Sequence, residues 1–226
     1  MKIQSGKFKK NLKRMIHLPA FLFFAGVVFV MSCDSVHAAT RTWDGGGIDT
    51  NWSTAANWSA DTVPGGSDDV VFDGTSTKDS VWDTGGPGTV LTFTLTSAYT
   101  GKLTIQKASI VSGNWSYAGT GAPERFDAGT STLSMSGLVS FTPGNARYYN
   151  FSYGTGGSSD LITTGTAIIL WNLSASGVGG PGCLNGGTFN VSGDMSGNNI
   201  AACGSGGSLI NVVGAGTQTM TATTMW

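Results

Sequence analysis

The chain has 226 residues, of which only 11% are charged, with 35 glycines and a formal net charge of −1. Its bases crowd the start: Lys2, Lys7, Lys9, Lys10, Lys13 and Arg14 are six of the twelve, whereas Asp34 is the single acid before residue 39. The remainder holds six bases against twelve acids, a charge near −6, which argues against nucleic acid or an anionic membrane surface as a partner.

Residues 1–38 read as a signal peptide. The basic stretch precedes an apolar run from Leu18 to Met31, shorter than the about 20 apolar residues that a transmembrane helix needs. Val36-His37-Ala38 supplies the small residues of a cleavage site, so the mature chain is expected to begin at Ala39 and to be exported, either released or held at the cell surface. A rival site, Val30-Met31-Ser32-Cys33, loosely matches a lipobox. In that case Cys33 would carry a lipid anchor, although Met before the Ser fits poorly.

Both histidines, His17 and His37, fall in this leader, and Glu124 is the only Glu of the chain. Without His there is no Ser-His-Asp relay and no His-ligated zinc or iron. No catalytic residue, cofactor or metal ligand is therefore assigned, and the chain is not read as an enzyme.

Residues 39–100 form a Trp- and Asp-rich N-terminal capping segment. Trp43, Trp52, Trp58 and Trp82 lie here, with eight of the twelve mature acids between Arg41 and Asp83. The rings either close the open end of a stack or offer a platform to sugars. Trp52 and Trp58 are the candidates for glycan stacking, because an even separation puts two residues on one face of an extended strand. Asp68, Asp69 and Asp73 could offer oxygens to Ca²⁺, which takes about six to eight ligands. Turn formation ahead of Val70–Phe72 is the simpler role for them.

Residues 101–226 alternate apolar and polar positions at period two, as in Leu103 and Ile105, Leu133 and Met135, and Tyr149, Phe151 and Tyr153. Clusters of Gly, Pro, Asn and Ser break these runs. Gly165–Leu173 matches Gly187–Met195 at a shift of 22, which predicts that Ala167 stacks with Phe189, Ile169 with Val191 and Leu173 with Met195. A shift of 77 aligns Leu133 with Ile210 and Met135 with Val212. One coil of a β-solenoid needs about 20 to 25 residues. The expected fold is all-β, a right-handed parallel β-helix or β-solenoid behind the Trp-rich cap and a signal-peptide helix. Trp226 aligns with Arg147, in mid-repeat, so a partial chain is expected.

Cys183 and Cys203 are the two cysteines beyond the leader, and outside the cytosol an even pair predicts a disulfide. Six Asn-x-Ser triplets, at Asn51, Asn57, Asn114, Asn150, Asn172 and Asn190, place Asn at coil turns, where its side chain satisfies backbone groups.

The motifs Thr42-Trp43-Asp44-Gly45-Gly46-Gly47, Asn51-Trp52-Ser53, Asn57-Trp58-Ser59, Val63-Pro64-Gly65 and Asp68–Phe72, then Phe126–Leu133 and Tyr148–Phe151, resemble the repeat or passenger regions of bacterial secreted, autotransporter-type and adhesin-like surface proteins. The resemblance covers most of the chain after the leader. It implies a non-catalytic β-solenoid at or beyond the cell surface, with glycans or other surface proteins as partners. The alternatives are a carbohydrate-binding module and a fragment of a β-helix polysaccharide lyase or glycosidase. For the latter the candidate carboxyls are Glu124, Asp127 and Asp160, near Arg125 and Arg147.

Overall fold

The computed structural model describes residues 38–119, 125–155, 159–177, 182–198, 200–202 and 208–222. After β1 (Thr40–Thr42) the strands follow in threes. The first set is β2 (Asp69–Phe72), β3 (Ser80–Trp82) and β4 (Thr89–Val90), and the second is β5 (Thr92–Leu95), β6 (Leu103–Ile105) and β7 (Ser109–Val111). Next come β8 (Trp115–Tyr117), β9 (Phe126–Asp127) and β10 (Thr132–Ser136), then β11 (Val139–Thr142), β12 (Arg147–Tyr148) and β13 (Asn150–Thr155). The series continues with β14 (Ser159–Thr163), β15 (Thr166–Ile169) and β16 (Leu173–Gly177), then β17 (Gly182–Asn185), β18 (Thr188–Val191) and β19 (Met195–Asn198). It closes with β20 (Ile200–Ala202), β21 (Leu209–Val212) and β22 (Met220–Ala222).

Strands pair in parallel with their counterparts in neighbouring sets, giving a β-solenoid of about 6 turns. The first face runs β1-β2-β5-β8-β11-β14-β17-β20 and the third runs β4-β7-β10-β13-β16-β19-β22 without a break. The second face does break. Its strands form two separate sheets, β3-β6-β9 and β12-β15-β18-β21, with no ladder from β9 to β12. Pairing on the first face passes residue 100 uninterrupted, through β5 and β8.

Period-two alternation drives alternate side chains inward, and stacking coils turns them into columns. Val70 lies in register with Phe93, Phe93 with Trp115, Trp115 with Phe141 and Phe141 with Thr163. Ala167 pairs with Phe189, Ile169 with Val191 and Leu173 with Met195, the three matches expected from the 22-residue shift. The 77-residue alignment has no such counterpart. Leu133 sits on the third face beside Phe151, whereas Ile210 sits on the second beside Phe189. Coil length explains this, since register advances 22 residues from Phe93 to Trp115 but 26 from Trp115 to Phe141. Insertions at the corners destroy any long fixed period.

All six Asn-x-Ser triplets turn their middle residue inward. Their middle residues, Trp52, Trp58, Trp115, Phe151, Leu173 and Val191, are all buried, and each Asn carries a side-chain hydrogen bond that ties a turn or a coil. Asn150 Oδ1 accepts from the Asn172 N–H one coil on, Asn172 Oδ1 from the Asp194 N–H, and Asp194 Oδ1 from the Thr219 N–H. Asn114 does the same for Ser140. Asn57, Asn114, Asn150 and Asn172 satisfy backbone groups at turns as expected, whereas Asn51 donates to the Asp49 carboxylate and Asn190 lies inside β18, where it accepts from the Asn211 side chain one coil on.

Residues 1–37, with Cys33 and the apolar run, lie outside the described residues, as do Glu124, Cys203 and Trp226. Of Cys183 only the backbone is described, in β17, paired with Ala201.

Candidate functional site

Trp52 and Trp58 are each 0% exposed. Trp52 stacks on Trp82 at a centroid distance of 4.1 Å and meets Trp58 edge-on at 5.0 Å, while Trp43 closes on Trp58 at 5.2 Å. Their indole N–H groups donate inward as well: Trp52 to Ser80 Oγ, Trp58 to the Trp52 carbonyl, and Trp43 to the Lys78 carbonyl. A sugar platform needs a free ring face, and these rings have none. The six-residue spacing across the turns at 54–57 thus places both rings in the core rather than on an outer strand face.

The loop that carries them is held by Lys78 and Asp49. Lys78 Nζ donates to the Gly45 and Gly47 carbonyls and to Asn57 Oδ1. Asp49 accepts from Thr54, Asn51 and Asn57, and these hydrogen bonds, that of Thr54 foremost, hold its carboxyl below the usual range.

Asp68 accepts from the Ala39 and Gly65 N–H groups and pairs with Arg41, Asp69 accepts from Thr92, and Asp73 caps its own turn at Thr75. Asp68 and Asp73 act at turns, whereas Asp69 lies in β2 and its carboxylate ties that strand to β5. Among the described residues no cluster of three His, Cys, Asp or Glu side chains could hold a metal.

The carboxyl candidates do not form a described pair. Asp127 belongs to β9 on the second face, and Asp160 belongs to β14 on the first, where it accepts from Asn185. What gathers instead is a cavity of about 310 Å³ lined by Lys102, Phe126, Asp127, Ala128, Gly129, Arg147 and Leu170. It lies on the second face at the seam between β9 and β12, where the ladder is interrupted. Lys102 and Asp127 form an ion pair at 2.8 Å, with side chains 42% and 44% exposed. The Lys102 hydrogen bond, helped by the Gly129 N–H, holds the Asp127 carboxyl below its ordinary range.

Beside this cavity the corner after the second face carries an aromatic pair. Alternation sets one member, Tyr149, on one face with Phe151 and Tyr153, whereas Tyr148 is the buried ring and Tyr149 is half-buried at the bend. Tyr149 and Trp171 stack one coil apart, with centroids 6.0 Å apart and planes 7° from parallel. Trp171 is 52% exposed. Tyr149 is two residues from Arg147, and Trp171 follows Leu170, so both rings adjoin residues of the cavity wall. The signal was present in the 22-residue shift, which separates Tyr149 from Trp171, but alternation alone does not say which aromatic turns outward at a corner.

Comparison with family models, with curated proteins and with solved structures found no match to this chain.

Proposed function

We propose that this chain is an exported, non-catalytic β-solenoid that serves as an adhesive or envelope-associated surface element. The observation that carries the reading is the unbroken parallel ladder on the first and third faces, with aromatic and aliphatic columns inside. Such a stack lengthens by about 4.8 Å per coil and repeats its outer surface each time, as a spacer or contact surface requires. The leader with its basic start and short apolar run supports export, and the excess of acids beyond it supports a soluble exterior.

Three measurements test this. N-terminal sequencing of protein recovered outside producing cells is expected to begin at Ala39; retention in the cytoplasm would sink the reading. Beads coated with the purified protein are expected to adhere to cell envelopes or extracellular matrix more than beads coated with an unrelated β-protein. Release of reducing ends or unsaturated uronates from polysaccharides by the pure protein would replace the adhesive reading with a catalytic one.

A further inference from the structure

We propose that the seam cavity and the Tyr149–Trp171 stack together form a binding site for an anionic glycan, Arg147 taking the acidic group and the exposed Trp171 ring carrying an adjacent sugar. The inference rests on the adhesive reading and names what the surface adheres to.

Charge singles out this place. Six bases lie beyond the leader, and five have internal partners. Arg41 pairs with Asp68, and Lys78 binds loop carbonyls; Lys102 pairs with Asp127, Lys107 donates to the Thr84 and Gly86 carbonyls, and Arg125 donates to the Thr100 carbonyl. Arg147 is exposed and lines the cavity, and its guanidinium has no hydrogen-bonding or ionic partner among the described residues. With Lys102 neutralised by Asp127, the cavity keeps one net positive charge on a chain that is otherwise acidic. A guanidinium presents a planar fork of donors that matches a carboxylate or sulfate.

Shape and chemistry agree with a sugar. The volume lies near the lower end of small-molecule sites, about 300–1,000 Å³. Asp127 and Lys102, both about half exposed, offer an acceptor and donors to hydroxyls. A free peptide or phosphate would use the charge but not the ring, whereas a sugar presents an apolar C–H face to an aromatic one. Trp171 is braced for that contact, since Tyr149 lies parallel behind it and the Trp171 N–H is held by the Tyr149 carbonyl at 2.8 Å. The site exists because the second-face ladder fails between β9 and β12, which opens a recess that no continuous sheet would have.

The test is calorimetric titration of the purified protein with hexagalacturonate, a sulfated heparin hexasaccharide, neutral cellohexaose and polyglutamate. Saturable binding to at least one acidic sugar is expected, and the responding arm identifies the group as carboxylate or sulfate. Arg147→Gln and Trp171→Ala are each expected to weaken it at least tenfold with unchanged melting temperature, and Trp171→Phe to retain it. The proposal is overturned if neither acidic sugar binds, if cellohexaose binds as well, if polyglutamate binds equally and ignores Trp171→Ala, or if both variants keep full affinity. Bead adhesion in a protein that binds no acidic sugar would remove the site and leave the adhesive reading standing; sugar binding without bead adhesion would do the reverse.

Discussion

Tyr148 shows how a polar atom is carried into the column of aromatic side chains. Its hydroxyl accepts from Trp115 Nε1 at 2.8 Å and donates to the Pro143 carbonyl at 3.1 Å. Tyr148→Phe would strand both partners, and a buried unsatisfied group costs about 1–3 kcal/mol. A lower denaturation midpoint with an unchanged denaturant slope is the expected result. Gly144 has φ +58°, and a Cβ there would lie 2.1 Å from the Tyr117 carbonyl oxygen. Gly144→Ala should destabilise by more than the about 1–2 kcal/mol of the left-handed conformation alone, because backbone must also move; thermal melts would reveal a smaller effect if the turn can relax. Trp52→Ala and Trp171→Ala make a further contrast. The first removes a buried ring, costing about 3–5 kcal/mol, whereas the second should leave the melting temperature nearly unchanged.

Among the strands, the informative unit is the corner that joins the second face to the third. Asn150, Asn172 and Asp194 occupy successive coils there, each side-chain oxygen taking the backbone N–H of the next. Asn172→Ala should therefore speed hydrogen exchange at the Asp194 amide while leaving the Asn172 amide, held by Asn150, protected. The net loss in stability is expected to be about 0.5–1.5 kcal/mol; equal protection at both amides would show that the ladder is not what orders the corner. These oxygens were legible in advance, because Asn before an apolar residue and Ser recurs in the sequence with turn chemistry. The seam between β9 and β12 was not. Whether neighbouring strands keep their ladder depends on the lengths of the corners between them, and the advance from Trp115 to Phe141 is longer than its neighbours.

Across the whole stack, stability is a sum over coils and their interfaces, and at high pH ionisation affects it through buried phenols. Burial pushes the Tyr99 and Tyr148 hydroxyls well above an ordinary phenol and Tyr153 up to about 12. The folded state holds these protons more tightly than the unfolded one, so their contribution is full below about pH 10 and is lost as pH rises towards and beyond 12. Denaturant midpoints are expected to fall steadily above pH 10 as the ultraviolet absorbance of tyrosinate rises; midpoints flat to pH 12 would contradict the burial of these groups.

Sequence alone determined the class of fold, the near-22-residue repeat and the inward set on strands such as those of Ala167, Ile169 and Leu173, because alternation and turn residues are local and stacking copies them from coil to coil. The predicted partners of Ala167, Ile169 and Leu173 followed from that copying. Tertiary structure decided which aromatic rings face water. Trp52 and Trp58 are folded over the first coil and enclosed, while Trp171 is left outside at a corner, and no local pattern separates these fates, since exposure depends on what the rest of the chain lays over each ring. The same holds for Arg147. Its charge was plain in the sequence, but its lack of a partner among the described residues and its place at a gap in the sheet arise only when the other five bases beyond the leader have found their own contacts.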